Sequence, residues 1–238
     1  MRDIMRDLGR ALLFVLFAVL TPAAHAQLSG RTRAVTRGDL CVTEGNISTD
    51  SANQLRVDSS KMRAYVNART TEAIEARFRY LGGTAQESAL GSGVVRRQFG
   101  LKLRAQNACN LVYVMWRFEP ESKVVVSIKK NPGKTTSSEC GNGGYQNIKP
   151  HHGGSVPALR PGEVHTLAAE LHGNLLNVFV DHVNVWEGNL GPEGSDLAGP
   201  VGIRSDNARL RFDLEAGTVN GMHPDFRLAC KAGPGVSD

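Results

Sequence analysis

The chain has 238 residues, of which 41% are hydrophobic, 21% are charged and 6% are aromatic, and its formal net charge at pH 7 is +5. This balance is typical of a folded globular protein and excludes wholesale disorder. The excess of positive charge is too small to indicate a nucleic-acid-binding protein, although it weakly favours acidic partners.

The first 26 residues have the pattern of a secretory signal. Arginines precede an apolar run over residues 11–20, and Ala24-His25-Ala26 forms a small-x-small cleavage site before Gln27. The run is too short for a membrane anchor, because a spanning helix needs about 20 apolar residues. We expect residues 1–26 to be removed and residues 27–238 to form a single exported β-sandwich domain with no membrane span, in the periplasm or outside the cell.

Alternation of apolar and polar residues recurs after this segment, and no helical stripe of adequate length accompanies it. Trp116 and Trp186 lie on apolar faces and are expected in the core. Many strands joined by short turns indicate an all-β protein with two antiparallel sheets. The predicted strands, in chain order, cover residues 55–57, 62–66, 74–80, 95–103, 112–118, 124–128, 164–171, 175–181, 183–187, 201–204 and 210–214.

One stretch, residues 131–162, lacks this alternation and is rich in Gly, Pro, Ser and Thr. Loops of this length are uncommon unless they are functional or held in place. The sequence leaves both interpretations open, a functional loop and an ordinary surface excursion.

The four cysteines all follow the predicted signal, so they should meet an oxidising compartment. Of the three pairings that four cysteines allow, we favour Cys109–Cys140 and Cys41–Cys230. The first would join a hairpin to the loop that follows it, and the second would join the two ends of the domain. A zinc site is disfavoured because no C-x-x-C spacing occurs.

The last third of the chain resembles concanavalin A-like and laminin-G-like jelly rolls. Residues 165–187 read HTLAAELHGNLLNVFVDHVNVWE, and residues 199–207 with 210–213 read GPVGIRSDN and LRFD. The first stretch is similar to their strand–turn–strand–turn–strand run and the second to their closing strands. The resemblance implies a two-sheet antiparallel jelly-roll sandwich with a concave face that often binds sugars.

Members of this group include sugar-cleaving enzymes, among them 3-keto-disaccharide hydrolase-type domains of bacteria, as well as binding modules without chemistry. The E-x-D-x-x-E signature of the glucanase branch is absent, and its nearest counterpart, Glu119-Pro120-Glu121, contains a proline typical of a turn. We therefore expect a carbohydrate-binding protein that is not an enzyme. The alternatives are a glycan-cleaving hydrolase and a laminin-G-like adhesion module, and the oligomeric state stays open.

Basic residues and one tyrosine follow the polar positions of the central predicted strands. If these strands are neighbours, their side chains form a cationic face that could bind the carboxylate or sulfate groups of an acidic polysaccharide or oligosaccharide. The alternative is that these side chains are simply solvated on the outer face of a sheet. The candidate ligand-binding residues are Arg77, Arg79, Arg96, Gln98, Lys102, Tyr113, Arg117 and Lys129.

Metal-binding patterns are weak. His151 and His152 are adjacent but lack a third ligand at motif spacing, so surface histidines are expected. Calcium would suit oxygen ligands, for which the candidates are Asp181, Asp206, Asn207 and Asp213. Turn formation is the preferred explanation of these residues, so we expect no cofactor while leaving calcium open.

Overall fold

The computed structural model describes residues 31–219 and Cys230. The predicted signal, residues 1–26, lies outside the described residues. The strands are β1 (Thr32–Ala34), β2 (Leu40–Glu44), β3 (Ser48–Thr49), β4 (Leu55–Val57), β5 (Lys61–Val66), β6 (Thr70–Gly83), β7 (Gln98–Leu103), β8 (Leu111–Arg117), β9 (Lys123–Lys129), β10 (Tyr145–Ile148), β11 (His152–Gly153), β12 (Val164–His172), β13 (Leu175–Val180), β14 (Val183–Asn189), β15 (Gly202–Asp206) and β16 (Ala208–Thr218). Two short helices, α1 (Ser137–Cys140) and α2 (Gly191–Ser195), and a 3-10 turn (Arg37–Asp39) complete the elements.

Within the described chain these strands form two antiparallel sheets. Sheet A has the order β11-β14-β13-β12-β6-β16-β4-β3, and β1 also pairs with β16. Sheet B has the order β10-β9-β8-β7-β15-β5-β2. Sequence neighbours such as β5 and β6 therefore lie in different sheets, whereas β15 joins strands from the first half of the chain.

Aromatic side chains fill the space between the sheets. Phe78 on β6 of sheet A contacts Phe99 on β7 of sheet B, with ring centroids 5.1 Å apart, and lies edge-on to Trp116 at 5.7 Å. Trp116 and Trp186 are both buried, as predicted. Burial of such large apolar side chains is the main stabilising contribution to a sandwich of this kind.

The structure corrects some predicted boundaries. Val95 lies outside β7, which begins at Gln98, and its side chain is half exposed. The predicted strands omit β1, β2, β3, β10 and β11, each of which has two to five residues. Residues 131–162, for which the sequence predicts no strand, contain α1, β10 and β11.

Two disulfides hold the described chain together. Cys109 and Cys140 join the turn after β7 to α1, and Cys41 on β2 is joined to Cys230. Their Cα–Cα distances are 5.8 and 5.5 Å respectively. Among the helices of the described residues, none has the length and apolar character needed to cross a membrane.

Candidate functional site: a basic face on sheet B

The outer surface of sheet B carries an unusual set of charged and aromatic side chains. Along β7, Phe99, Leu101 and Leu103 point into the core, so the alternating residues Gln98 and Lys102 point outward. The same alternation applies to the other strands of this sheet. We call this surface the basic face and define it by Arg63, Gln98, Lys102, Tyr113, Arg117, Lys129, Tyr145, Arg204 and Asp206.

Most of these side chains are buried although they lie on an outer face. Lys102 is 6% exposed, Tyr113 4% and Arg204 9%, whereas Tyr145 is 42% exposed. Lysine and arginine are almost never fully buried unless they are paired. The basic face is therefore not an ordinary solvated surface.

Asp206 accepts hydrogen bonds from three of these side chains. Arg63 Nη2 lies 2.6 Å from Oδ1, and Arg204 Nε and Gln98 Nε2 lie 2.8 and 2.6 Å from Oδ2. Burial alone would raise the pKa of Asp206, but the two guanidinium groups and the hydrogen bonds outweigh it and lower this pKa. Asp206 is consequently ionised and serves as the counter-ion of Arg63 and Arg204.

Arg204 also contacts the two tyrosines of the face. Its guanidinium carbon lies 4.9 Å from the centroid of the Tyr113 ring, and its Nη1 donates to the Tyr145 hydroxyl at 3.2 Å. The two tyrosine rings are stacked, with centroids 6.0 Å apart and an interplanar angle of 20°. Burial raises the pKa of Tyr113 to about 12, so this phenol stays protonated at neutral pH.

Lys129 approaches the same rings from β9. Its Nζ lies 5.2 Å from the centroid of the Tyr145 ring and donates to the carbonyl oxygens of Gly141 at 2.9 Å and Ala108 at 3.3 Å. Both acceptors are adjacent in sequence to the cysteines of the Cys109–Cys140 disulfide. Burial, together with Arg204 and Arg63, lowers the pKa of Lys129 to about 8.

Lys102 lies at the centre of the face, between Tyr113 on β8 and Gly202 on β15 in the strand register. Burial lowers the pKa of Lys102 well below its usual range, and Arg63 and Arg204 lower it further. Within residues 31–219 and Cys230, no hydrogen bond or ion pair of the Lys102 ammonium is found. Two other cations of the face also lack an ion pair among the described residues: Lys129 donates to carbonyl oxygens, and Arg117 Nε is buried without a hydrogen-bond partner.

The structure separates the predicted ligand-binding residues into two groups. Gln98, Lys102, Tyr113, Arg117 and Lys129 share the basic face. Arg96 lies two residues before the start of β7. Burial lowers the pKa of Arg117 and the charge of Arg96 lowers it further, so Arg96 lies at the same end of the basic face as Arg117.

Arg77 and Arg79 belong elsewhere, and their expected place on a common face with the others is wrong. They lie on β6, which is in sheet A, and their exposed side chains point to the opposite outer surface of the sandwich. The physical reason is that the chain crosses between sheets after β6, so sequence neighbours do not become sheet neighbours.

Sequence reasoning missed Arg63, Tyr145 and Arg204 as site residues, and it considered Asp206 only as a calcium ligand. A signal for Arg204 and Asp206 exists in their alternation with Ile203 and Ser205. Nothing local to the sequence indicates that β15 lies between β5 and β7.

The proposed calcium ligands are not brought together. Asp206 binds arginines, Asp181 contacts His165 at 2.7 Å, and Asp213 accepts from Gln54 at 3.0 Å. In the part of the chain that the structure describes, no cluster of three or more His, Cys, Asp or Glu side chains could hold a metal ion. His151 and His152 are exposed.

Two further features lie outside the basic face. An open depression of about 430 Å³ is lined by Val95, Pro120 and an ion-paired group in which Arg97 bridges Glu87 and Glu119. On the outer face of sheet A, Glu75 and Glu215 are directly opposite each other on β6 and β16. Burial raises the pKa of Glu75; the charge of His182 lowers it and the charge of Glu215 raises it, and the net shift is upward.

No family model and no curated protein matches this chain. Among solved structures, it is 15% identical to the carbohydrate-binding module CBM66 from Bacillus subtilis, with a TM-score of 0.50 over 73% of this chain and 91% of that one. A putative glycosyl hydrolase from Parabacteroides distasonis is 13% identical, with a TM-score of 0.46 and coverage of 80% and 100%. A galectin from Caenorhabditis elegans is 12% identical, with a TM-score of 0.39 and coverage of 71% and 99%.

Identities this low establish the fold and nothing further. The two antiparallel sheets described above, together with the likeness to the Bacillus subtilis module, confirm the architecture that the last third of the sequence predicts. The chain has the concanavalin A-like jelly-roll fold.

Proposed function

We propose that this protein is an exported carbohydrate-binding β-sandwich whose basic face binds an acidic glycan without cleaving it. The observation that carries the proposal is the excess of positive charge beside two stacked tyrosines. Five basic side chains define the face, whereas Asp206 is the carboxylate among its defining residues. An anionic ligand would supply the missing negative charge.

The tyrosines provide the part of the site that suits a sugar ring. Tyr145 is 42% exposed and stacked on Tyr113, so one aromatic surface is accessible beside the cations. Aromatic rings with a polar edge contribute contact area and orientation in ligand sites. The Bacillus subtilis module of similar fold is named as carbohydrate-binding, which agrees with this assignment.

The chemistry of Asp206 supports binding rather than hydrolysis. Glycoside hydrolysis commonly uses two carboxyl groups on either side of the scissile bond, one of which must be able to donate a proton. Asp206 is held ionised by Arg63 and Arg204. A second carboxylate, Glu44 on β2, also lies close to an arginine, with 3.7 Å between Glu44 Oε2 and Arg63 Nε.

Export of the protein rests on two features. The chain begins with the predicted signal at residues 1–26, and both disulfides of the described chain suit an oxidising compartment. We infer the periplasm or the extracellular space as the site of action.

The test is a screen of purified protein against acidic and neutral glycans, followed by calorimetry on the hits and an assay for released reducing ends. We expect binding to oligouronates or sulfated glycans, no binding to their methyl-esterified or desulfated forms, and no cleavage. Arg204→Met should weaken binding more than about tenfold, which corresponds to the loss of a charge-assisted contact. Arg77→Met on sheet A is the matched control and should change the affinity less than about twofold.

Equal weakening by the two substitutions would refute the basic face as the site. If no glycan binds at all, the adhesion hypothesis replaces the carbohydrate one.

A second candidate function, glycan hydrolysis, is favoured by the Glu75–Glu215 pair. Directly opposite residues of neighbouring antiparallel strands have Cβ atoms about 4.5–5.5 Å apart, and the raised pKa of Glu75 suits a general acid. Release of reducing ends that Glu75→Gln abolishes and Arg204→Met leaves intact would support this alternative.

A further inference from the structure

The buried centre of the basic face offers little surface to a ligand, whereas one edge of sheet B is accessible. Lys102 and Tyr113 are 6% and 4% exposed, but Tyr145 on β10 is 42% exposed. Arg117 on β8 is partly exposed, and Lys123, directly opposite it on β9, has 48% of its side chain exposed. We call this accessible strip the open edge and define it by Arg117, Lys123, Val125, Tyr145 and Asn147.

Arg117 has no ion pair within residues 31–219 and Cys230, and its Nε donates to no acceptor there. The carboxylates nearest to it in sequence are engaged by other cations. Glu119 contacts Arg97 at 3.1 Å, and Glu121 contacts Lys123 at 2.6 Å. Since a guanidinium can donate two parallel hydrogen bonds to a carboxylate or sulfate group, Arg117 is available to an anionic group of a ligand.

Tyr145 and Arg117 are too far apart for one sugar ring to contact both. The Tyr145 ring stacks on Tyr113, which lies four positions before Arg117 on the same outward side of β8. This separation is about 13 Å along the strand, at about 3.3 Å per residue. Val125 on β9 lies between the two ends, in register with Met115, and is partly exposed. A ligand that contacts both ends must therefore be a chain of several sugar residues.

We propose that the glycan binds as an extended chain along the open edge, with one sugar residue against Tyr145 and an anionic group of a more distant residue at Arg117. This inference deepens the proposed function and rests on it for the identity of the ligand. It makes the site selective for chain length, because a short oligomer occupies one end and a longer one gains the contact at the other end.

The surroundings of the two ends suit these roles. At the Arg117 end, Lys123 is the register partner on β9, and Arg96 lies two residues before β7, so both add positive charge near the anionic group. At the other end, Asn147 follows Tyr145 on the same side of β10 and is exposed. Its amide can donate to and accept from sugar hydroxyl groups.

The experiment is calorimetric titration of the full protein with two size series, oligogalacturonates and heparin-derived oligosaccharides, each from the shortest unit to the hexamer. For the wild type we expect the affinity to rise by more than about tenfold between the shortest oligomer with measurable binding and the hexamer. The rise should level off once a chain is long enough to cover both ends.

Arg117→Met should remove most of this gain. We expect it to weaken binding of the hexamer by more than about tenfold, and of the shortest oligomer by less than about twofold. Tyr145→Ala should weaken binding of every length, because each oligomer uses the aromatic end. Arg77→Met removes one positive charge from sheet A and is the matched control, so it should keep the full dependence on length.

Circular dichroism melting verifies that each variant is folded. Lys123→Met supplies a second measurement at an exposed position, where the substitution leaves the fold intact. It should weaken hexamer binding by about threefold and leave the shortest oligomer unaffected.

The inference is overturned if Arg117→Met weakens short and long oligomers by the same factor, or if wild-type affinity does not depend on length. In either case, binding that still requires Arg204 keeps the proposed function. Failure of the proposed function gives a different result, since neither series would bind at any length, and the inference would then fall with it.

Discussion

Side chains alternate along the strands in both sheets of this sandwich, but the two outer faces differ in how deeply their ion-paired side chains are buried. On sheet A, Arg77 lies opposite Asp213, and both side chains are exposed to solvent. On the basic face of sheet B, Arg204 and Asp206 form their ion pair with 10% and 0% of their side chains exposed. The polar positions of a strand therefore do not by themselves indicate how strongly a charge is coupled to the fold.

Exposed and buried ion pairs contribute differently to the stability of the fold. Exposed ion pairs contribute about 0–1 kcal/mol, because water screens them and the side chains lose conformational freedom. Buried ion pairs carry a large desolvation cost that only good geometry and further hydrogen bonds offset. The basic face has that geometry around Asp206, whose carboxylate accepts three hydrogen bonds.

The sharpest way to test the difference is to remove the same residue type from each face. We expect Asp206→Ala to lower the free energy of unfolding by about 3–5 kcal/mol, because two buried arginines lose their counter-ion. Asp213→Ala on sheet A should cost less than about 0.5 kcal/mol. Urea unfolding followed by circular dichroism measures both, and equal costs would show that the two faces are energetically alike.

The disulfides allow the stability of the fold to be separated from the order of the basic face. Replacing Cys109 and Cys140 by serine should lower the unfolding free energy by about 3 kcal/mol. It should also weaken oligouronate binding, because Lys129 donates to carbonyls on either side of this disulfide. Replacing Cys41 and Cys230 is the control: it should destabilise the fold at least as much, since the closed loop is longer, while binding of the folded protein is less affected.

Acid should remove the charge of Asp206 only after carboxylates of ordinary pKa have been protonated. The pKa of Asp206 is lowered in the folded protein, so its contribution to stability is complete above the unfolded-state value of about 3.9. That contribution is lost as pH falls through the lower folded-state pKa. The difference in unfolding free energy between the wild type and Asp206→Ala should therefore shrink below about pH 4. A constant difference down to pH 2 would contradict the assignment of an ionised Asp206.

The smallest effect concerns sheet A and has the opposite sign. Burial and Glu215 raise the pKa of Glu75, so the ionised form of Glu75 lowers stability at neutral pH. Glu75→Gln should stabilise the protein by about 0.5 kcal/mol at pH 7, as expected when like charges on opposite strand positions are separated. The gain should vanish once Glu75 is protonated in the wild type, and a loss of stability at pH 7 would show that the interaction of Glu75 with His182 outweighs its burial and the like charge of Glu215.

Part of the candidate site could be predicted from the sequence, and part could not. Gln98, Lys102, Tyr113, Arg117 and Lys129 follow one another on strands that pair as hairpin neighbours, so their common face is a local consequence of alternation and short turns. Arg77 and Arg79 have the same pattern on the preceding strand but lie on the opposite surface, since β6 and β7 belong to different sheets. No periodicity distinguishes a connection within a sheet from one between sheets.

The sequence by itself determined the class of fold, the burial of Trp116 and Trp186, and the polar character of the outward positions. These follow from short-range rules, because side chains alternate along a strand and large apolar groups leave water. Only the tertiary structure decided that β15 inserts between β5 and β7 and brings Arg204 and Asp206 beside Arg63 and Lys102. Long-range strand pairing is set by how the two sheets close on a shared core, and that closure decides which charges are buried together.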